Sequence, residues 1–273
     1  MMKTFTQSNN QFKFGSRLLL MGFGFVALFT PDSAFAISSI SVTDLSTLTT
    51  TSVSSLLQTA ALGLDHRDYQ PATPLGMMLG VDIGVDVTAI SVPTAFTTAL
   101  SLATGQSSSN LPSVLLVPKL NLHKGLPMGI DLGLTWISVA DSSSSSTVAQ
   151  EIGGEVQYAL VNNLAMPAIS ARLTDSYTTL YFMSTNTWAL DVLMSKNLVV
   201  IDPYVGVGMK YWSGQLNVPT GVTGLTVSGS SSGFTPHIYA GLPLKLAIIK
   251  MTGEVDYNFA GFTTYGLKLS LSF

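Results

Sequence analysis

The chain has no cysteine at all, which excludes disulfides, thiolate metal sites and cysteine nucleophiles. It has few charges, 10% of residues against 47% hydrophobic, where soluble domains carry about 25% charged residues. It has only three histidines, and its formal net charge of −3 is no electrostatic basis for binding nucleic acid. Past the first 36 residues it also lacks any uninterrupted apolar run of the ~18 residues that a membrane-crossing helix needs. High hydropathy without a spanning helix leaves one economical solution, a barrel whose apolar residues occupy alternate positions.

The first stretch is of a different kind. Lys3, Lys13 and Arg17 precede the apolar run Leu18 to Phe29, and Ala34-Phe35-Ala36 follows with the small-x-small pattern of a cleavage site. Residues 1–36 read as a secretory signal peptide, with cleavage after Ala36. The remainder divides into a pre-barrel segment, 37–75, and a barrel, 76–273.

Side chains alternate between the two faces of a strand. From 77 to 89, Met77, Leu79, Val81, Ile83, Val85, Val87 and Ala89 share one face, with Gly80, Asp82, Gly84, Asp86 and Thr88 on the other. The same alternation recurs over 114–122, 128–136, 148–160, 167–173, 188–194, 201–211, 234–242, 249–259 and 265–273. The fold class expected is all-β, a transmembrane antiparallel up-and-down barrel of ten strands. An even number suits bacterial single-chain barrels. Short connections near 124–125, 162–163, 196–197 and 243–247 alternate with longer ones at 91–113, 141–147, 176–186 and 213–233. Short turns face the periplasm in such barrels and long loops face outward, which places both chain ends in the periplasm.

Aromatic residues sort by end. Trp136, Trp188, Tyr211, Phe234, Phe259 and Phe262 fall at the outer rim as an expected girdle, with Tyr158 and Phe273 at the inner rim. Phe273 ends a five-residue apolar stripe from Tyr265 and resembles the terminal signal read by the barrel-assembly machinery, a transient partner. Outer-membrane lipids are the lasting partner, and a monomer is expected.

Before the barrel, Asp44 suits a helix cap, and Leu45, Leu48, Val53, Leu56, Leu57, Ala60, Ala61 and Leu64 recur at loosely helical spacing. One or two short helices are predicted, acting as a lumen plug or a cap at the periplasmic mouth. A further short helix over 94–102 is predicted above the outer mouth.

Inward positions carry Asp82, Asp86, Asp131, Glu151, Glu155, Asp191, Asp202, Glu254 and Asp256 against Lys119, Arg172, Lys210, Lys250 and Lys268, with His237 in the upper lumen near Tyr239 and Asp202. Buried charges persist only when paired, so one reading is an ionic network bracing a narrow barrel. The other is a cation-preferring path for a small solute, a hydrophobic one included. A wide porin-like pore is not expected, since about eight strands already fill their own interior.

Catalysis finds little support. Ten-stranded omptin-type proteases need rim aspartates and an Asp-His pair, whereas His66 precedes the barrel and His123 lies at an inner turn. No catalytic set, metal-ligand spacing or cofactor motif is expected. A lipid-modifying enzyme ranks third, behind a channel or binding barrel and a structural or surface-interaction barrel.

Asp65-His66-Arg67, Pro71-Ala72-Thr73-Pro74-Leu75-Gly76, Lys124-Gly125-Leu126-Pro127, Met166-Pro167-Ala168-Ile169-Ser170 and Pro203-Tyr204-Val205-Gly206-Val207-Gly208 resemble an uncharacterised family of proteobacterial outer-membrane β-barrels over most of 60–273. The resemblance implies location and fold, and no activity.

Overall fold

A computed structural model describes residues 50–76, 80–98, 113–140, 147–163, 165–180, 183–219 and 226–273. The signal peptide, the Asp44 cap, residues 77–79 and the centre of the serine run lie outside the described residues.

Ten antiparallel strands run in chain order around a closed ring: β1 (Val81–Ser91), β2 (Val114–Leu126), β3 (Ile130–Ala140), β4 (Thr147–Val161), β5 (Ala168–Leu180), β6 (Met183–Ser195), β7 (Tyr204–Pro219), β8 (Thr226–Leu246), β9 (Ile249–Asn258) and β10 (Phe262–Ser272). β1 closes onto β10 with Val85 opposite Leu269 and Asp86 opposite Lys268. Beyond the ladder, Val81 and Phe273 exchange backbone hydrogen bonds of 3.2 and 2.8 Å. Closure leaves no free sheet edge, so backbone donors and acceptors are satisfied without water.

The polarity is inverted relative to a soluble barrel. Ile83, Leu122, Leu134, Val156, Leu190, Val207, Met251 and Leu269 stand exposed on the outside, while Asp82, Lys119, Glu155, Arg172, Asp191 and Lys268 are buried within. Apolar side chains turned outward on every strand favour a surrounding solvent that is itself apolar.

Two expected loops are mostly strand. β5 continues to Leu180 opposite Met183 of β6, and β7 continues to Pro219 opposite Thr226 of β8. Segments 176–186 and 213–233 are therefore two tall hairpins. Their hydrophobic alternation fades, as in Ser228 to Ser232, because backbone pairing needs no apolar face.

Among the described residues one helix, α1 (Thr50–Gly63), precedes the barrel in sequence, and it sits inside the barrel's upper part against β6, β7 and β8. Leu56, Leu57, Ala61 and Leu62 pack with Ile90, Phe96, Met183, Trp212, Leu216 and Phe262 in an apolar chamber at the long-loop end. The C-terminal half of the helix, Leu56 to Gly63, is buried nearly all round and needs the barrel to enclose it. Phe96 reaches the cluster from a helical turn at 94–98, and the rest of the helix expected over 94–102 lies outside the described residues.

Phe262 corrects the girdle expected from sequence. It is only 4% exposed and points inward. Strand parity is the reason, since 262 shares a face with Thr264, Lys268 and Ser270. Trp136, Trp188, Tyr211, Phe234 and Phe259 are all outward and exposed. Trp188 pairs with Tyr211, which pairs with Phe234 at a ring separation of 5.0 Å, and Tyr257 meets Phe259 at 5.2 Å.

Candidate functional site in the lumen

Below Gly63 the chain leaves the helix and runs through the barrel as an irregular segment without a ladder. Its carbonyls then need donors from elsewhere, and the wall supplies them. Lys119 Nζ donates to the carbonyls of Leu64 (3.0 Å) and Asp65 (2.5 Å), and Arg172 Nη2 to that of Gln70 (2.8 Å). Gln157 donates to the carbonyl of Pro71 (3.1 Å) and Ser170 to that of Ala72 (2.6 Å). At the short-turn end the Leu75 N–H donates to the Asp131 carboxylate at 3.1 Å.

The side chains of this segment complete the network. Asp65 meets Lys210 at 2.6 Å. Arg67 meets Asp256 at 2.9 Å and Glu254 at 3.8 Å. Asp68 binds both Arg172 and, at 2.7 Å, His123 Nε2. Gln70 accepts from Lys250, which also pairs with Asp82 at 2.6 Å. Lys268 joins Asp82 (2.9 Å), Asn121 (3.0 Å) and His123 (3.1 Å), and Asn121 donates to Asp86 at 2.6 Å. Lys119 pairs with Glu151, and Arg172 reaches Glu155 at 3.6 Å.

All fifteen inward residues singled out in the sequence are buried: Asp82, Asp86, Lys119, Asp131, Glu151, Glu155, Arg172, Asp191, Asp202, Lys210, His237, Lys250, Glu254, Asp256 and Lys268. Two placements differ from expectation. His123 is a deeply buried partner of Asp68, not a turn residue. Asp202 is held by Lys245 at 3.1 Å, whereas His237 bridges Asp191 (2.9 Å) and Asp256 (3.2 Å) and stacks on Tyr239.

The residues that link the wall into one network are Asp65, His66, Arg67, Asp68, Tyr69 and Gln70, all buried. Sequence reasoning assigned them no partner. The available signal was a charged run between an apolar helix and Pro71. A small cavity of about 30 Å³ remains beside it, lined by Asp65, Arg67, Asp191, Lys210, His237 and Asp256 among others.

His66, His123 and Glu155 offer ligand atoms within 4.8 Å of one another, close enough to consider a metal. The hydrogen bonds oppose it. Lys268 has only donors to offer and meets His123 Nδ1 at 3.1 Å, so the imidazole proton sits on Nε2, facing Asp68. That nitrogen has no lone pair to give a metal, and the three residues do not fit one.

His66 joins the wall through both ring nitrogens, Nδ1 against Thr135 at 2.8 Å and Nε2 against Glu155 at 3.3 Å.

Tyr69 has a left-handed backbone (φ 56°) that lays its ring on Gly266 of β10, while its hydroxyl meets Thr88 at 2.6 Å. A Cβ at 266 meets the tyrosine ring directly. Gly266→Ala is therefore expected to loosen the segment by ~1–3 kcal/mol and leave the barrel closed. Faster cleavage at Arg67 with unchanged heat-modifiable gel migration is the expected result, and unchanged cleavage counts against it.

Neither a protein-family model nor a curated protein matches the chain. Among solved structures, it is similar to the N-terminal β-barrel domain of Pseudomonas aeruginosa OprF, with 13% identity over 70% of this chain and 97% of that one and a TM-score of 0.33. It is also similar to a triple mutant of Rhodopseudomonas blastica porin, with 12% identity over 71% of this chain and all of that one and a TM-score of 0.22.

Proposed function

We propose that residues 1–36 direct export and that the barrel spans the bacterial outer membrane as a passage for small polar or cationic solutes, held shut by its own N-terminal segment. The outward apolar belt supports the membrane reading, and the stripe ending at Phe273 supports recognition by the assembly machinery. The observation that carries the gated passage is the occupation of the charged lumen by Asp65 to Gln70. The wall around this segment carries nine buried carboxylates against five buried lysine and arginine residues, so an opened lumen favours cations. A hydrophobic solute suits this mid-level poorly, because charged side chains make up most of its lining.

A structural or surface-interaction role is the second reading. It is favoured by the two tall hairpins and by the number of ion pairs that hold the segment in place. A non-enzymatic role is supported by His237, whose two ring nitrogens are both engaged by carboxylates. Planar-bilayer recording separates passage from structural barrel, with the full chain and a chain lacking residues 50–70 compared under one salt gradient. Silence from both would exclude the passage.

A further inference from the structure

The direction in which the N-terminal segment threads the lumen has a topological outcome that strand counting does not reveal. Ser54 meets Ser231 at 2.9 Å and Gln58 meets Thr235 at 3.5 Å. β8 begins at Thr226 on the long-loop side, so both contacts lie near that end, with Ser54 the higher. The Ala61 carbonyl accepts from Thr187 in the upper part of β6 (3.0 Å), and the Leu64 carbonyl accepts from Lys119 of β2. Farther down, the Asp68 carbonyl accepts from Lys268 near the end of β10 (3.3 Å), and the Ala72 carbonyl from Ser170 at the start of β5. Leu75 reaches Asp131 at the start of β3. From Ser54 to Leu75 the chain therefore descends the full lumen once, from the long-loop end to the short-turn end, before β1 turns back up.

We infer that the chain preceding Thr50 emerges on the long-loop side, opposite to the ends of the barrel wall at Val81 and Phe273. This revises the expectation that both chain ends share the periplasmic side. A return through the lumen is blocked twice. At the helix level Leu56, Leu57, Leu62 and Leu216 are fully buried in the apolar chamber, and at the next level the segment Asp65 to Gln70 is itself buried between charged walls. With the long loops facing the exterior, a premise that belongs to the proposed function, the exported protein presents its N-terminal end, residues 37–49 after cleavage at Ala36, at the cell surface. The barrel then serves as the anchor that carries this end across the membrane and holds it there.

The absence of native cysteine makes the test clean. Ser39→Cys, Ser144→Cys in the β3–β4 loop and Asn162→Cys in the β4–β5 turn are made one at a time in the full chain and exposed to a membrane-impermeant maleimide in intact cells and after lysis. Ser144→Cys and Asn162→Cys report the orientation of the barrel by themselves. Labelling of Ser39→Cys that matches Ser144→Cys, near complete in intact cells while Asn162→Cys stays at background, is the expected result. Labelling of Ser39→Cys that matches Asn162→Cys overturns the threading. If Ser144→Cys is silent and Asn162→Cys labels, the orientation is reversed, and the threading stands or falls on which of the two Ser39→Cys follows.

Discussion

A chain lacking residues 50–70 is expected to conduct ions in a planar bilayer where the full chain is silent. The deletion removes α1 from the upper chamber and the Asp65–Gln70 stretch from the charged level. Nothing in the described wall crosses the lumen in their place. Current is expected to rise by at least about tenfold, since a ten-stranded wall encloses more space than its inward side chains fill. Cations are expected to carry most of it, because the exposed wall holds nine carboxylates and five basic groups. Deletion also strips donors such as Lys119 and Arg172 of their backbone partners, so a milder variant is needed. Asp65→Lys with Asp68→Lys sets like charges against Lys210 and Arg172 and keeps the chain length. If both variants migrate as folded, heat-modifiable barrels and both stay silent, the lumen is not a passage and the structural reading stands.

The second large effect is expected from Arg172→Ala. This guanidinium binds Asp68, the Gln70 carbonyl, Gln157 at 2.7 Å and Glu155 at 3.6 Å. Removing one partner of a buried pair leaves the other charge uncompensated, at a cost of about 3–5 kcal/mol. The barrel ladder does not depend on the arginine, so the loss falls on docking of the segment. A cysteine placed at Thr59, which is buried on α1, reports that opening by its labelling rate. The rate is expected to rise by about a hundredfold or more in Arg172→Ala. Arg172→Met with Asp68→Leu, which removes both charges at similar volume, is expected to recover most of the loss. A rise below about threefold, or additive single and double variants, would show that the pair is not coupled.

Much of the architecture was legible along the chain because a barrel wall is periodic. Each strand repeats one rule, apolar out and polar in, and Val85, Leu122, Leu134 and Leu269 announce their face without reference to any partner. The fifteen inward titratable residues were found the same way, by parity alone. Legibility ended where periodicity did. The hairpin ends around 176–186 and 213–233 read as loops because their apolar and polar residues lose the simple alternation, with Met183 and Leu216 turned inward to the chamber around α1 and Ser228 to Ser232 polar on both faces. Phe262 was misplaced because residue type was allowed to outrank parity.

What the sequence determined by itself is the wall: ten strands, their order and which side chains enter the lumen, because these follow from local alternation. What only the tertiary structure decided is the content of that lumen. Asp65, Arg67 and Asp68 find Lys210, Asp256 and Arg172 across more than a hundred residues of chain, and no local pattern encodes such a pairing. The direction of the thread, helix at the long-loop end and Leu75 at the other, is likewise a fact of packing. It is set by which level of the barrel offers an apolar chamber for α1 and which offers charged donors for the bare carbonyls below it.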